Sequence, residues 1–483
     1  MGLSLRRPPL PDVLHDAPRV PLRIPLRIAL LALALASAPG CGHDDGGTAG
    51  PPEPVVLEVA AGDGQSGLVG AMTAEPLVVR VLTPGGAAVA GARVTWSASG
   101  SGLVMPAVST TDANGRATGY WLLDAQVGTQ TATASVEGAA DARFQAVALL
   151  LSEPVIEGPR PVLLETFDGS GQVVHPDVVS TPRGWGARRR HLAITPYPFG
   201  RAEKENPSVF EGDDGEQWAI PGGATNPVAL PTAGTYLSDP DQLWIPESRE
   251  LWMYYREVTA TDNVILLTRS SDGAQWSPAV EIVRAASHQI VSPTVVRRGP
   301  RDWMMWSVNS GTVGCRAPTT TVELRRSEDG VAWSAPVTVP LVQPGWWLWH
   351  IDVQWVPSRR EFWALYNVKS AADCNTPAVY LATSPDGVTW TTYPGPVLAR
   401  GATREFTDIV YRSTFEYAPV SDVITFWYSG ARFDIGGFIW SAALERRSRA
   451  EVFAAIQHPP PAAMRVESQT RRGVPLLDER TAP

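Results

Sequence analysis

Residues able to do chemistry gather at five short phrases: "HPDVV" (175–179), "SDPDQLW" (238–244), "VSPTVV" (291–296), "WHIDVQW" (349–355) and "YRSTF" (411–415). They offer His175 and Asp177, Asp239 and Asp241, His350 and Asp352, and Arg412. "EKENPSVF" adds Glu205, "MYYREV" adds Arg256 and Glu257, "TPYP" adds Tyr197, and "GWWLWH" adds Trp347 and Trp349. Carboxyls beside aromatic rings suit a sugar: the rings stack on its faces, and two carboxyls serve as acid and base across a glycosidic bond. The chemistry requires that these residues, nearly 240 positions apart at the extremes, meet in one place.

A repeat supplies the means. "DDGEQW", "SDGAQW", "EDGVAW" and "PDGVTW" place an Asp of a DG step at 214, 272, 329 and 386, so the intervals are 58, 57 and 57 residues. Around each step lie strand-length pieces, such as "DQLWIPE", "LWMYYREV", "VILLTRSS" and "WSPAVEIV". Four strands repeated at an even period make a propeller blade. A first blade starts at 175 and a last one, without a DG step, at 411, which counts to five.

Antiparallel alternation then assigns faces: first-strand starts and second-to-third loops share the upper rim, and the DG hairpins lie below. Asp177, Glu205, Asp239, Glu257 and Asp352 are therefore expected together at one rim as the catalytic carboxyls. His175, Tyr197, Asp241, Arg256, Trp347, Trp349, His350 and Arg412 are expected as substrate-binding residues. The four DG aspartates are expected to be scaffold, because a site needs convergence rather than one copy per repeat. Blander roles stand beside these: Asp177 and Asp352 as acceptors of backbone N–H groups, the histidines as satisfied core residues, the tryptophans as packing. An inward Arg needs a carboxylate or an anionic ligand.

The DG..W phrase resembles a shortened Asp-box of sialidase-type propellers. Residues 155–450, with "HPDV", "TPYP", "ENP", "WHIDV" and "YRS", resemble the five-bladed glycoside hydrolase superfamily of arabinofuranosidases and invertases. The resemblance implies that Asp177 is the general base and that Asp239 or Asp241 orients substrate. The family's general acid, a Glu near the third blade, is replaced here by Ser292 in "VSPTVV", so Glu205 or Glu257 would have to substitute. The alternative is a non-catalytic glycan-binding or adhesive surface protein.

Residues 55–150 read as about seven short strands with turn signals, an immunoglobulin-like β-sandwich. "GDGQSGLVG", "VAGARVTWSA" and "TDANGRATGYWLL" resemble the bacterial immunoglobulin-like group 1 domains of invasins and intimins, which implies a spacer. The fold expected is thus all-β, a sandwich followed by a five-bladed propeller. Upstream, "ALLALALASA" (29–38) is a signal-peptide core too short to span a bilayer, and "SAPGC" resembles a lipoprotein signal with Cys41 as the lipidated residue. Residues 1–41 are then the signal and 42–54 a flexible tether, giving an exported, lipid-anchored protein at the outer membrane or cell surface. Residues 451–483 are expected to be a disordered tail.

The formal charge of −9 argues against a nucleic-acid partner. An extracellular glycan and the membrane, through the lipid, are the partners expected of a monomer. No cofactor and no catalytic metal are expected, beyond a structural ion compatible with the propeller axis. Cys315 and Cys374 are 59 residues apart, one repeat length, and could form a disulfide in an oxidising compartment.

Overall fold

The computed structural model describes residues 54–459, apart from 125, 150–152, 183, 184, 372, 373, 402, 405 and 435. The expected signal (1–41), with Cys41, and nearly all of the expected tether (42–54) lie outside the described residues. What is described is almost entirely β-structure.

Residues 56–149 form nine strands in two sheets, with strand orders 1-3-7-5 and 2-9-8-4-6 counted from Val56–Ala61. The sheets share one core built from alternating residues, including Leu77, Val79, Val94, Trp96, Trp121 and Phe144. After them come five sheets in chain order. Their first strands are Val173–Ser180, Tyr236–Ile245, Val291–Gly299, Trp347–Val356 and Ile409–Ala418. Each first strand contacts the next, and the last contacts the first, so the five close a circuit around one channel. The fifth sheet takes its outer strand, Ile156–Val162, from ahead of the first sheet, paired with Gly437–Ser448.

The DG steps hold neighbouring sheets together. Oδ1 of Asp272 accepts the N–H groups of Ala274 and Gln275, both at 2.8 Å, and Asp329 and Asp386 repeat the pattern with the second and third residues after them. The Asp214 turn does the same with Glu216 and Gln217. The following glycine has φ +75°, +78°, +74° and +76° at 215, 273, 330 and 387, the left-handed region that disfavours a Cβ. Against it lies a ring from the sheet before: Trp306 Nε1 donates to the Gly387 carbonyl at 2.9 Å, and Tyr254 OH to that of Gly330 at 2.8 Å. Trp427 of the fifth sheet donates to the Gly215 carbonyl of the first at 2.8 Å, so the same contact closes the ring. The side-chain hydrogen bonds of these aspartates stay within their own turns, as expected of scaffold, and the Asp214 carbonyl also accepts from Arg446 of the fifth sheet.

Two expectations change. Residues 449–457 form an α-helix rather than the start of a structureless tail; Ser448 caps it by accepting the Glu451 N–H, and Val452 and Ile456 bury against Trp363 and Phe426. The sandwich is also no free-standing spacer. It seats against the lower ends of the first strands, where Glu75 pairs with Arg249 at 2.6 Å and the Arg297 guanidinium lies 5.6 Å from the Tyr120 ring. Cys315 and Cys374 are disulfide-bonded, with Cα atoms 5.0 Å apart.

Candidate functional site

Every first strand carries a β-bulge near its start, where two residues face one on the neighbouring strand. The bulge pairs are His175-Pro176, Asp239-Pro240, Ser292-Pro293, Trp349-His350 and Tyr411-Arg412. His175, Asp239 and Ser292 adopt φ of 58°, 52° and 52°, each just before its proline. Non-glycine residues hold such angles at a cost of about 1–3 kcal/mol each, and such strain concentrates where a side chain must be aimed. Here the bulges aim side chains into the channel.

His175, Asp239 and His350 meet there, all buried. His175 Nε2 lies 3.4 Å, and His350 Nδ1 3.3 Å, from the same Oδ1 of Asp239, and one donor atom from each residue falls within 4.8 Å of the others. None of these three atoms has a hydrogen-bond partner. The surrounding residues fix their orientation. Arg256 Nε binds the other oxygen of Asp239 at 2.9 Å and the Ser238 hydroxyl at 3.0 Å. Thr195 Oγ1 is 3.2 Å and Glu205 Oε2 3.8 Å from His175 Nδ1. Asn367 accepts the His350 backbone N–H at 2.6 Å, and the Tyr411 ring packs 4.5 Å from the His350 ring.

The electrostatics follow from burial and neighbours. Burial pushes the Asp239 carboxyl up, but Arg256 and the two imidazoles outweigh it and hold that carboxyl well below the usual range. Burial pushes both imidazoles down, His175 strongly, so the rings are neutral and each offers a nitrogen lone pair. Two neutral imidazoles and a carboxylate facing one another are metal-ligating groups as much as acid–base groups.

Asp177, Asp241 and Asp352 do not join this cluster. They form a second one, farther along the same strands, with one oxygen of each within 4.8 Å of the others. Asp177 accepts the Gln242 N–H at 2.7 Å and Asp241 the Val295 N–H at 2.9 Å, the backbone role foreseen as the bland alternative for Asp177. Asp352 meets the Thr294 hydroxyl and the Gln354 amide, both at 3.4 Å. Burial, reinforced by Asp352, pushes Asp177 up to about 8; burial pushes Asp352 up to about 6, and Asp241 lies well above its ordinary value. Arg412 lies between the clusters, 3.9 Å from Asp239 and 3.6 Å from Asp241.

The five expected carboxyls therefore do not share one rim. Glu205 and Asp239 belong to the histidine cluster, and Asp177 and Asp352 to the second. Glu257 stands outside both, half-buried and bonded to the hydroxyls of Thr232 and Thr235 at 3.2 and 3.1 Å. Tyr197 is buried packing, with its ring 5.1 Å from Trp440. Trp349 is fully buried and donates to Tyr411 OH at 3.1 Å, and Trp347 is half-buried at its strand start. Thr195, Ser238, Asn367 and Tyr411 were not singled out from sequence; only their places beside the bulges mark them.

No protein-family model matches the chain. It is 29% identical over 312 residues to an A type blood N-acetyl-α-D-galactosamine deacetylase of Flavonifractor plautii, an alignment covering 54% of this chain and 40% of the relative. The chain thus spans about two fifths of that relative's length. The crystal structure of an N-acetylgalactosamine deacetylase from F. plautii, in complex with blood group B trisaccharide, matches with a TM-score of 0.58 and 24% identity, covering 62% of this chain and 97% of that one. A Penicillium chrysogenum α-L-arabinanase matches at 13% identity with a TM-score of 0.39, over 74% and 94% of the two chains. The residues after the sandwich share the β-propeller fold of that F. plautii structure.

Proposed function

We propose that this protein is a metal-dependent glycan-processing enzyme that removes the acetyl group from an N-acetylated sugar at the His175–Asp239–His350 cluster. The observation that carries the reading is the set of three buried, mutually facing donor atoms without hydrogen-bond partners. Leaving such atoms unpaired costs about 1–3 kcal/mol each. A divalent transition metal would satisfy all three at once, and two His with one carboxylate is a donor set that leaves coordination positions open. The similarity to an N-acetyl-galactosamine deacetylase supports the reaction and the substrate class.

When bound, such an ion polarises an amide carbonyl and lowers the pKa of a water molecule. The chain's own residues do the rest. Arg256 occupies one oxygen of Asp239 and so keeps the other in the cluster. Thr195 engages Nδ1 of His175, which leaves Nε2 turned inward. Glu205, whose Oε2 lies 3.8 Å from His175 Nδ1, is the carboxyl we assign to proton transfer: it would take a proton from the attacking water and deliver it to the departing nitrogen. The water oxygen bonds to the carbonyl carbon, the C–N bond breaks, and acetate and a free amino sugar leave.

Glycosidic cleavage at this cluster would have to use Glu205 and Asp239 as the acid–base pair. Asp239 is already committed to Arg256 and flanked by two imidazoles, which suits a ligand better than a free base. We read the five sheets as five blades, and the pair of sheets over 56–149 as an immunoglobulin-like domain. Export with lipid on Cys41 would place the enzyme at the cell surface, where such glycans occur. The test is incubation of zinc- or manganese-loaded protein with an N-acetylgalactosamine-terminated oligosaccharide, followed by proton NMR. Acetate appearing with an intact chain supports the reading; release of the terminal sugar overturns it in favour of glycosidic cleavage.

A further inference from the structure

We infer that the lower end of the channel is a second, separate site, which binds a hard divalent cation such as calcium through Asp177, Asp241 and Asp352. The inference stands independently of the deacetylase reading, since it uses neither the histidines nor the relative. Three carboxyls from three different strands are each at most 5% exposed and bring one oxygen apiece within 4.8 Å. One guanidinium, Arg412, lies against them, 3.6 Å from Asp241. Three carboxyls buried this close together cannot all be ionised unless a cation compensates them.

A further observation points the same way. The three residues open onto a cavity of about 320 Å³ between the propeller strands and the sandwich, walled by Met72, Met105 and Tyr120 on the sandwich side. Gln242 lines this cavity, is 5% exposed, and leaves its Oε1 without a hydrogen-bond partner. The cavity that the three carboxyls open onto thus also holds a buried, unpaired amide oxygen in its wall. Calcium takes six to eight oxygens at about 2.3–2.6 Å, and the cavity has room for the waters that would complete the shell. Imidazole is absent from this set, so its preference differs from that of the upper cluster. A cation there would tie three first strands together directly beneath the seat of the sandwich.

Terbium replaces calcium at oxygen sites and luminesces when an excited tryptophan is close. Trp244 and Trp355 line the same cavity. The full protein titrated with terbium should show saturable sensitised emission that calcium displaces. Asp352→Asn is the variant of choice, because Asp352 bonds side chains rather than backbone; it should weaken terbium binding at least tenfold, while His350→Ala should not. If Asp352→Asn fails to fold by circular dichroism, the calcium-dependent rise in melting temperature of the wild type, retained in His350→Ala, carries the test. Absence of saturable emission in the wild type, emission unchanged in Asp352→Asn, or loss in His350→Ala alone would each overturn the inference.

Discussion

Asp239 and Asp241 are two residues apart on one strand, yet their carboxyls serve different surroundings. Asp239 takes Arg256 Nε at 2.9 Å and faces two imidazoles, while Asp241 takes the Val295 N–H at 2.9 Å and sits with Asp177 and Asp352. In a regular strand, residues i and i+2 point to the same side. The bulge at Asp239-Pro240 inserts one residue and breaks that rule, and it recurs at His175-Pro176. The channel thereby acquires two chemically distinct clusters, separated by Arg412.

Glu205 is the proton carrier in the proposed reaction and no part of the donor triad. Glu205→Gln should lower kcat by about 10²–10⁴-fold while leaving metal content and KM near wild type. Parallel steady-state kinetics and metal analysis check it. Loss of metal in Glu205→Gln would make it a ligand instead.

Gly387 tests the staple between sheets. A Cβ there would lie 2.6 Å from Cζ2 of Trp306 and 2.7 Å from Cε of Met304, at φ +76°. Gly387→Ala should cost about 2–4 kcal/mol, from strain plus overpacking. Gly401, at φ +78° with nothing within 4 Å, should lose only about 1 kcal/mol on the same substitution. Urea unfolding of the two variants separates the contributions.

His191 takes the ring position against the second sheet's glycine, 3.1 Å from where a Cβ on Gly273 would stand. Burial pushes this imidazole down to about 4. Because the folded pKa lies below the unfolded one, its contribution is fully present above about pH 6.5 and is lost as pH falls toward 4. The loss amounts to about 3 kcal/mol as an order of magnitude. Urea midpoints at pH 8 and pH 4.5 should therefore differ more for wild type than for His191→Gln.

Much of the scaffold was legible because it repeats. The DG..W spacing of 58, 57 and 57 residues announced the sheets, and the left-handed glycine with its Asp-capped turn explains why those two residue types recur. The strand Ile156–Val162 was not legible, since "IEGPRPV" pairs with a strand about 280 positions later and carries no period of its own. The short helix was foreshadowed by Ser448 and the i, i+4 pair Val452 and Ile456, a pattern overlooked beside the proline-rich tail. At the site, residue types were found and their grouping was not. "HPD", "DPD" and "SPT" mark the bulges, but only the positive φ before each proline shows that His175 and Asp177 part company. Glu257 fell outside for a similar reason: on Glu250–Val258 it adjoins inward-facing Arg256 and so points to the other side.

The central claim is that His175, Asp239 and His350 hold a metal at which an acetamide is cleaved. Metal content and acetate release measured on the same samples, for wild type and for His350→Ala after reconstitution with zinc or manganese, test it most directly. The account predicts about one tightly held transition metal per wild-type chain, chelation that abolishes acetate release, and loss of both metal and at least 10²-fold of the activity in His350→Ala. Acetate release that survives chelation, or a His350→Ala protein that keeps full activity without metal, would contradict it.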